Sequence, residues 1–257
     1  MKPSCLIERA DKTFTIPYQM YYPNQRATLT NLSEHIDESF EYDFEYEINQ
    51  YGFRYKEPVG TDIFLTVGCS VTFGTGLPYE KTYSQLISKH LGLESVNVSL
   101  PGTGPEIQAV NAVWAINKYN PKIVLFYMSD PVRRFLATED NAFNFVPDYM
   151  DNIFPTVNDK KSYIAMEEKF NYTRIMVAAY NLYKVSELCK IKNIPLYFRC
   201  WEQFAHSEIL KYEFVSDLNV LPDRMGAFDT ARDNLHHGVT SQENFAQICI
   251  GEIEKKI

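Results

Sequence analysis

Ser70 stands in Gly68-Cys69-Ser70-Val71-Thr72-Phe73-Gly74, a serine flanked by small residues. Glycines there allow a substrate to approach the hydroxyl closely, and backbone N–H groups of the turn can face an anion. In isolation the segment equally suits a plain strand-to-loop turn. Pro101-Gly102-Thr103-Gly104-Pro105 offers another exposed N–H. It lacks the later glycine or the Gly-Lys-Ser/Thr of a phosphate loop, so alone it reads as a loop and a helix start. Near the C-terminus, Ala231-Arg232-Asp233-Asn234-Leu235-His236-His237-Gly238 has an Asp three residues before a His. In a turn, such a carboxylate curls back to accept the imidazole Nδ1–H and leaves Nε2 free as a base. A serine, a histidine and an aspartate are the parts of nucleophilic acyl transfer.

That chemistry needs a scaffold bringing residues 70, 102 and 233–236 to one edge. Strand-length apolar runs at Ile63–Val67, Ser95–Leu100, Ile123–Met128 and Leu196–Cys200 alternate with helical patterns at Thr82–Leu91, Glu106–Tyr119 and Thr173–Lys192. Ser241–Lys256 returns to helical spacing as a closing helix. Alternating strands and helices predict an α/β fold, a three-layer α/β/α sandwich on a central, mostly parallel sheet. Ligands collect at the carboxyl ends of such strands, where Ser70 and Gly102 stand. In Glu106–Tyr119 the repeat Ile107, Val110, Val113, Trp114 and Asn117 marks the face expected to be buried. Residues 1–60 read as an N-terminal elaboration, with a strand at Phe40–Ile48 where aromatic and acidic residues alternate strictly. Residues 61–257 form the main domain, interrupted at about 137–169 by a stretch too long for an ordinary connection. Its rings Phe143, Phe145, Tyr149, Phe154 and Tyr163 either line a substrate wall or form the stretch's own core.

The serine block, Pro101-Gly102 after the second strand and Asp233-Asn234-Leu235-His236 near the end resemble, in order and spacing, the SGNH hydrolases, or GDSL esterase/lipase family. The resemblance runs from about Thr61 to the C-terminus. Ile48-Asn49-Gln50-Tyr51-Gly52-Phe53-Arg54 is similar to a segment that often precedes the serine block in large members. The resemblance implies a flavodoxin-like sandwich with Ser70 as nucleophile, His236 as general base and Asp233 as its orienting carboxylate. It makes the Ser70 and Gly102 amides an oxyanion hole. The chain departs from the family at Cys69, where Asp is usual, and at Tyr127-Met128-Ser129-Asp130, where Gly-x-Asn-Asp is usual. Ser129 is thereby the expected third oxyanion donor, on a shorter arm than Asn. His237 occupies a common Pro position and is expected to shape the turn. Thr72 replaces the second glycine of an α/β-hydrolase elbow, which sets that fold aside. The implied function is a serine esterase cleaving a small acyl ester, a carbohydrate O-acetyl group among the candidates, through an acyl-enzyme. The reading from another class is a non-catalytic SGNH-like module binding a glycan or protein partner.

Composition narrows the alternatives. Among 257 residues, 33 acidic and 25 basic side chains give a net charge of −8, with Lys and Arg scattered singly. No basic face is available to displace counterions, so nucleic acid is not an expected partner. No run approaches the ~20 apolar residues of a membrane span, and Met1–Lys12 lacks the apolar core of a signal peptide, so a membrane is not expected either. Five cysteines without Cys-x-x-Cys spacing argue against a disulfide framework or a zinc site and fit a reducing compartment, the cytoplasm. No metal and no cofactor are expected.

Overall fold

The structure, a computed structural model, describes residues 26–28, 44–137, 142–145, 171–233 and 235–256, with single positions at 158, 161, 162, 165 and 169. A short antiparallel pair, β1 (Arg26–Thr28) and β2 (Glu45–Glu47), precedes the sheet. The main sheet takes β3 (Ile63–Val67), β4 (Glu94–Asn97), β5 (Ile123–Met128), β8 (Leu196–Cys200) and β9 (Asn219–Val220). Between β5 and β8 lies a hairpin of β6 (Arg134–Ala137) and β7 (Ala142–Phe145). The helices are α1 (Ser70–Phe73), α2 (Tyr83–Leu91), α3 (Pro105–Tyr119), α4 (Asn171–Ile191), α5 (Gln203–Ile209) and α6 (Val239–Glu254).

Every pairing in the five-stranded sheet is parallel, in the order β4-β3-β5-β8-β9. Numbered within the sheet this is 2-1-3-4-5, the flavodoxin-like order with its switch between the first and third strands. Side chains alternate between two cores, as strand geometry requires. Ile63, Leu65, Val67, Val124, Phe126, Met128 and Phe198 pack under α3, α4 and α5, whereas Phe64, Ile123, Leu125, Tyr127 and Tyr197 face α2 and α6. On the second face Phe245 of α6 is fully buried between Tyr83 and Tyr127, at ring distances of 5.0 and 4.8 Å.

The helix expected over 106–119 forms, but its buried face coincides with the apolar repeat only at Ile107, and Asn117 is exposed. Gln108, Asn111, Ala112, Ala115 and Ile116 are buried, while Val113 and Trp114 are only partly covered. Alanines let α3 sit close to the sheet, and the two polar residues bond backbone carbonyls, Gln108 to Thr103 at 2.9 Å and Asn111 to Val98 at 3.3 Å. Trp114 instead packs beneath Tyr51 and Phe53 of the N-terminal segment, with rings 5.1 and 5.7 Å apart. Phe53 and Tyr55 belong to the main core, so the described part of the elaboration is continuous with the α/β body. Phe44, Tyr46 and Ile48 follow the expected alternation against an exposed Glu47, and Phe40–Asp43 lie outside the described residues. Most of the 137–169 stretch also lies outside them, including Tyr149, Phe154 and Tyr163, as do the side chains of Phe143 and Phe145. Among the described residues no helix is long and apolar enough to cross a membrane.

Candidate active site

β3 delivers Ser70. The chain leaves the sheet at Gly68, Cys69 takes the N-cap position of α1 without capping through its side chain, and Ser70 is the first helical residue. Its N–H therefore has no intrahelical partner, as expected for a first turn. Ser70 is 6% exposed, and its hydroxyl bonds the buried Cys69 Sγ at 4.0 Å rather than His236. α1 is braced from three sides. Asn97, at the end of β4, donates to the Thr72 carbonyl at 2.6 Å, Tyr83 donates its hydroxyl to Thr72 Oγ1 at 2.8 Å, and Gln242 of α6 donates to the Val71 carbonyl at 3.1 Å.

After β4, Gly102 turns the chain at φ +75°, a region that glycine enters without penalty. Its N–H has no hydrogen-bond partner among the described residues, so this turn presents a free donor at the carboxyl edge of the sheet. The turn after β5 braces this loop. There Asp130 accepts the Val132 N–H at 2.9 Å, and the Arg133 carbonyl lies so close to Gly104 that an added Cβ would meet it at 2.1 Å. Burial pushes the Asp130 carboxyl up, against the opposing pull of that amide.

Ser129 departs from its expected role. It is 1% exposed, and its hydroxyl donates to the Thr103 carbonyl at 2.9 Å while accepting from Gln108 Nε2 at 2.9 Å. A hydroxyl carries one proton. Once that proton is given to Thr103, none is offered to an oxyanion, and the Ser129 N–H is bound by Gln108 Oε1 at 3.2 Å. The shorter arm of serine has been drawn into a brace between β5 and the Gly102–Gly104 loop. Gln108 is the residue that sequence reasoning missed. Its signal, a polar side chain on the buried side of a helix, is invisible until that side is known.

The Asp233–His236 turn forms between β9 and α6. Asp233 Oδ1 accepts the N–H groups of Leu235 and His236 at 3.2 and 3.0 Å, and Oδ2 lies 2.6 Å from His236 Nδ1. Burial alone would raise the Asp233 carboxyl, but the imidazole and the two amides outweigh it and hold it below the usual carboxylate range. An ionised carboxylate only accepts, so Nδ1 carries the proton. In the neutral ring Nε2 is then the lone-pair nitrogen, and the ring is 20% exposed. His237 pairs with Thr230 through its backbone and sets its ring edge-on to Trp201 at 4.9 Å. Burial, followed by the neighbouring His236, lowers its affinity for a proton. It shapes the turn.

Gly76 joins the serine side to this turn. Its carbonyl accepts the Arg232 N–H at 3.1 Å, and its Cα faces the carboxylate so closely that an added Cβ would lie 2.6 Å from Ala231 Cβ and 3.0 Å from Asp233 Oδ1. With φ +81°, the position calls for glycine on both counts. Other described histidines stand elsewhere. His90 pairs with Glu254 at 2.9 Å on the surface, and buried His206 accepts the Cys200 N–H, its pKa lowered to about 4 by burial and then by Arg199. Among the described residues no cluster of three His, Cys, Asp or Glu could hold a metal, and the four cysteines are free and buried.

No model of a protein family and no curated protein matches this chain. Solved structures do. TesA is similar at a TM-score of 0.49 and 10% identity, over 76% of this chain and 100% of that one. A GDSL-like lipase from Bacteroides thetaiotaomicron is similar at 0.45 and 14%, over 79% and 93%. A family two carbohydrate esterase from Clostridium thermocellum, in complex with cellohexaose, is similar at 0.46 and 14%, over 76% and 64%. From its own strand order and the helices on both faces, this chain has the flavodoxin-like α/β/α sandwich that the resemblance to the SGNH hydrolases implies.

Proposed function

We propose that the chain is a serine hydrolase of the SGNH type that cleaves a small acyl ester. Ser70 attacks the ester carbonyl while His236 Nε2 takes its proton. His236 returns that proton to the departing alcohol, and water repeats the cycle on the acyl-enzyme. The Ser70 and Gly102 amides steady the developing oxyanion. The observation that carries this reading is the 2.6 Å bond from His236 Nδ1 to an Asp233 held by two amides, tied through Gly76 to the turn that follows Ser70. Such a carboxylate fixes the tautomer and stabilises the imidazolium that forms. Ser70 completes the relay when its hydroxyl leaves Cys69 for His236, and catalytic hydrogen bonds are often long before substrate arrives.

The inward hydroxyl of Ser129 favours a second reading, a non-catalytic module that binds a glycan or protein partner. Labelling by a fluorophosphonate and hydrolysis of p-nitrophenyl acetate and butyrate, each compared with Ser70→Ala, separate the two. Turnover and labelling that vanish in Ser70→Ala support the hydrolase, and acetylated sugars then test the O-acetyl carbohydrate that the family resemblance suggests. Wild type as inert as the variant towards all of them supports the binding module.

A further inference from the structure

Two side chains of the N-terminal segment reach the turn behind the candidate site. The hydroxyl oxygen of fully buried Tyr46 accepts the Gly76 N–H at 2.7 Å. Arg54, 2% exposed, gives Nη1 to the carbonyls of Phe73 and Gly74 at 3.3 and 2.8 Å, and Nη2 to that of Leu77 at 2.6 Å. Its guanidinium carbon lies 4.4 Å from the centre of the Tyr46 ring. Burying a guanidinium is costly unless its donors are bonded, and three of its bonds here go to one turn, residues 73–77. That turn starts at the end of α1 and includes Gly76, whose carbonyl and Cα abut Arg232 and Asp233.

We infer that Tyr46 and Arg54 are positioning residues for the Asp233–His236 pair, acting through Gly76. The inference rests on the serine-hydrolase reading. It makes the N-terminal segment part of the working site instead of an appendage. Burial pushes the Tyr46 phenol up to about 12, against the pull of Arg54 and the Gly76 N–H. The group therefore stays neutral at physiological pH and serves as a fixed acceptor. Tyr46→Phe removes that acceptor and leaves the ring under the guanidinium.

The test measures the rate of Ser70 labelling by a fluorophosphonate, and kcat and KM on p-nitrophenyl acetate, in full-length wild type, Tyr46→Phe, Asp233→Ala and the double variant. Displacing the carboxylate by a fraction of an ångström is expected to lower labelling and kcat about ten- to a hundredfold with KM unchanged. In the Asp233→Ala background the same change is expected to add no further loss, because a residue acting through Asp233 has nothing left to act on. A general structural role would lower both backgrounds alike, and that result overturns the inference, as does a Tyr46→Phe that labels like wild type. Should Tyr46→Phe melt too low to assay, Arg54→Lys replaces it with the same expectation, since a lysine cannot span Gly74 and Leu77 together. Wild type that does not label overturns the hydrolase reading itself and this inference with it.

Discussion

Replacing Ser129 with alanine separates a brace from a catalytic donor. The hydroxyl makes two hydrogen bonds, to the Thr103 carbonyl and from Gln108 Nε2, each 2.9 Å long. Its removal leaves both partners satisfied in part, because Gln108 Nε2 also donates directly to the Thr103 carbonyl at 2.9 Å. At about 1 kcal/mol net for each bond, the loss of stability is about 1–2 kcal/mol. For a domain of this size that lowers Tm by roughly 2–8 °C. A genuine oxyanion donor would instead cost about 10²–10³ in rate. With its proton committed inward, Ser129→Ala should slow fluorophosphonate labelling of Ser70 less than about tenfold. The assay pairs thermal melting with the second-order labelling rate of the purified protein. A hundredfold slower rate with an unchanged Tm would refute the reasoning, since it would mean that the hydroxyl turns to the oxyanion during reaction and contributes little to the fold.

Gly76→Ala should both destabilise and slow labelling, because the φ of +81° costs about 1–2 kcal/mol for any L side chain and the new Cβ presses on Ala231 and Asp233; wild-type melting and labelling would contradict the link between turn and dyad. Gly251→Ala is the opposite case, since nothing lies within 4 Å of the added Cβ inside α6. Melting should show a gain of about 0.5–1 kcal/mol, and a loss would mean that this helix packs differently. Gly238 brings no side chain to the N-terminus of α6, so Asp229 caps it from nine residues upstream, accepting the Thr240 and Ser241 N–H groups at 2.8 Å each. Burial would raise the Asp229 carboxyl, but these donors hold it below the usual range, as the amides and imidazole do for Asp233. A lowered folded value means stability that is complete above the unfolded value of about 4 and is lost as pH falls through the folded one. Melting from pH 6 down to about 2 should therefore show a steep acid decline that Asp229→Asn makes shallower, at a cost of about 1 kcal/mol near neutrality; an unchanged slope would contradict the cap.

By itself the sequence determined the strand cores Ile63–Val67, Ile123–Met128 and Leu196–Cys200, because uninterrupted apolar runs between amphipathic segments have few homes other than a covered parallel sheet. The Asp233–His236 pair was equally local, since an Asp and a His three apart in a turn need no distant partner to meet. The two-residue edge strand β9 was not legible, because its pattern is too short to carry a period and it exists only through pairing with β8. The buried side of α3 was settled by what lies on either side of it: the sheet takes the alanines, and Tyr51 and Phe53 cover Trp114. Ser129 turned inward because Gln108 and the Thr103 carbonyl converge there from another helix and another loop. Arg54 found three carbonyls about twenty residues away. Such contacts depend on where separate elements meet in space, and residue spacing along the chain carries no record of that.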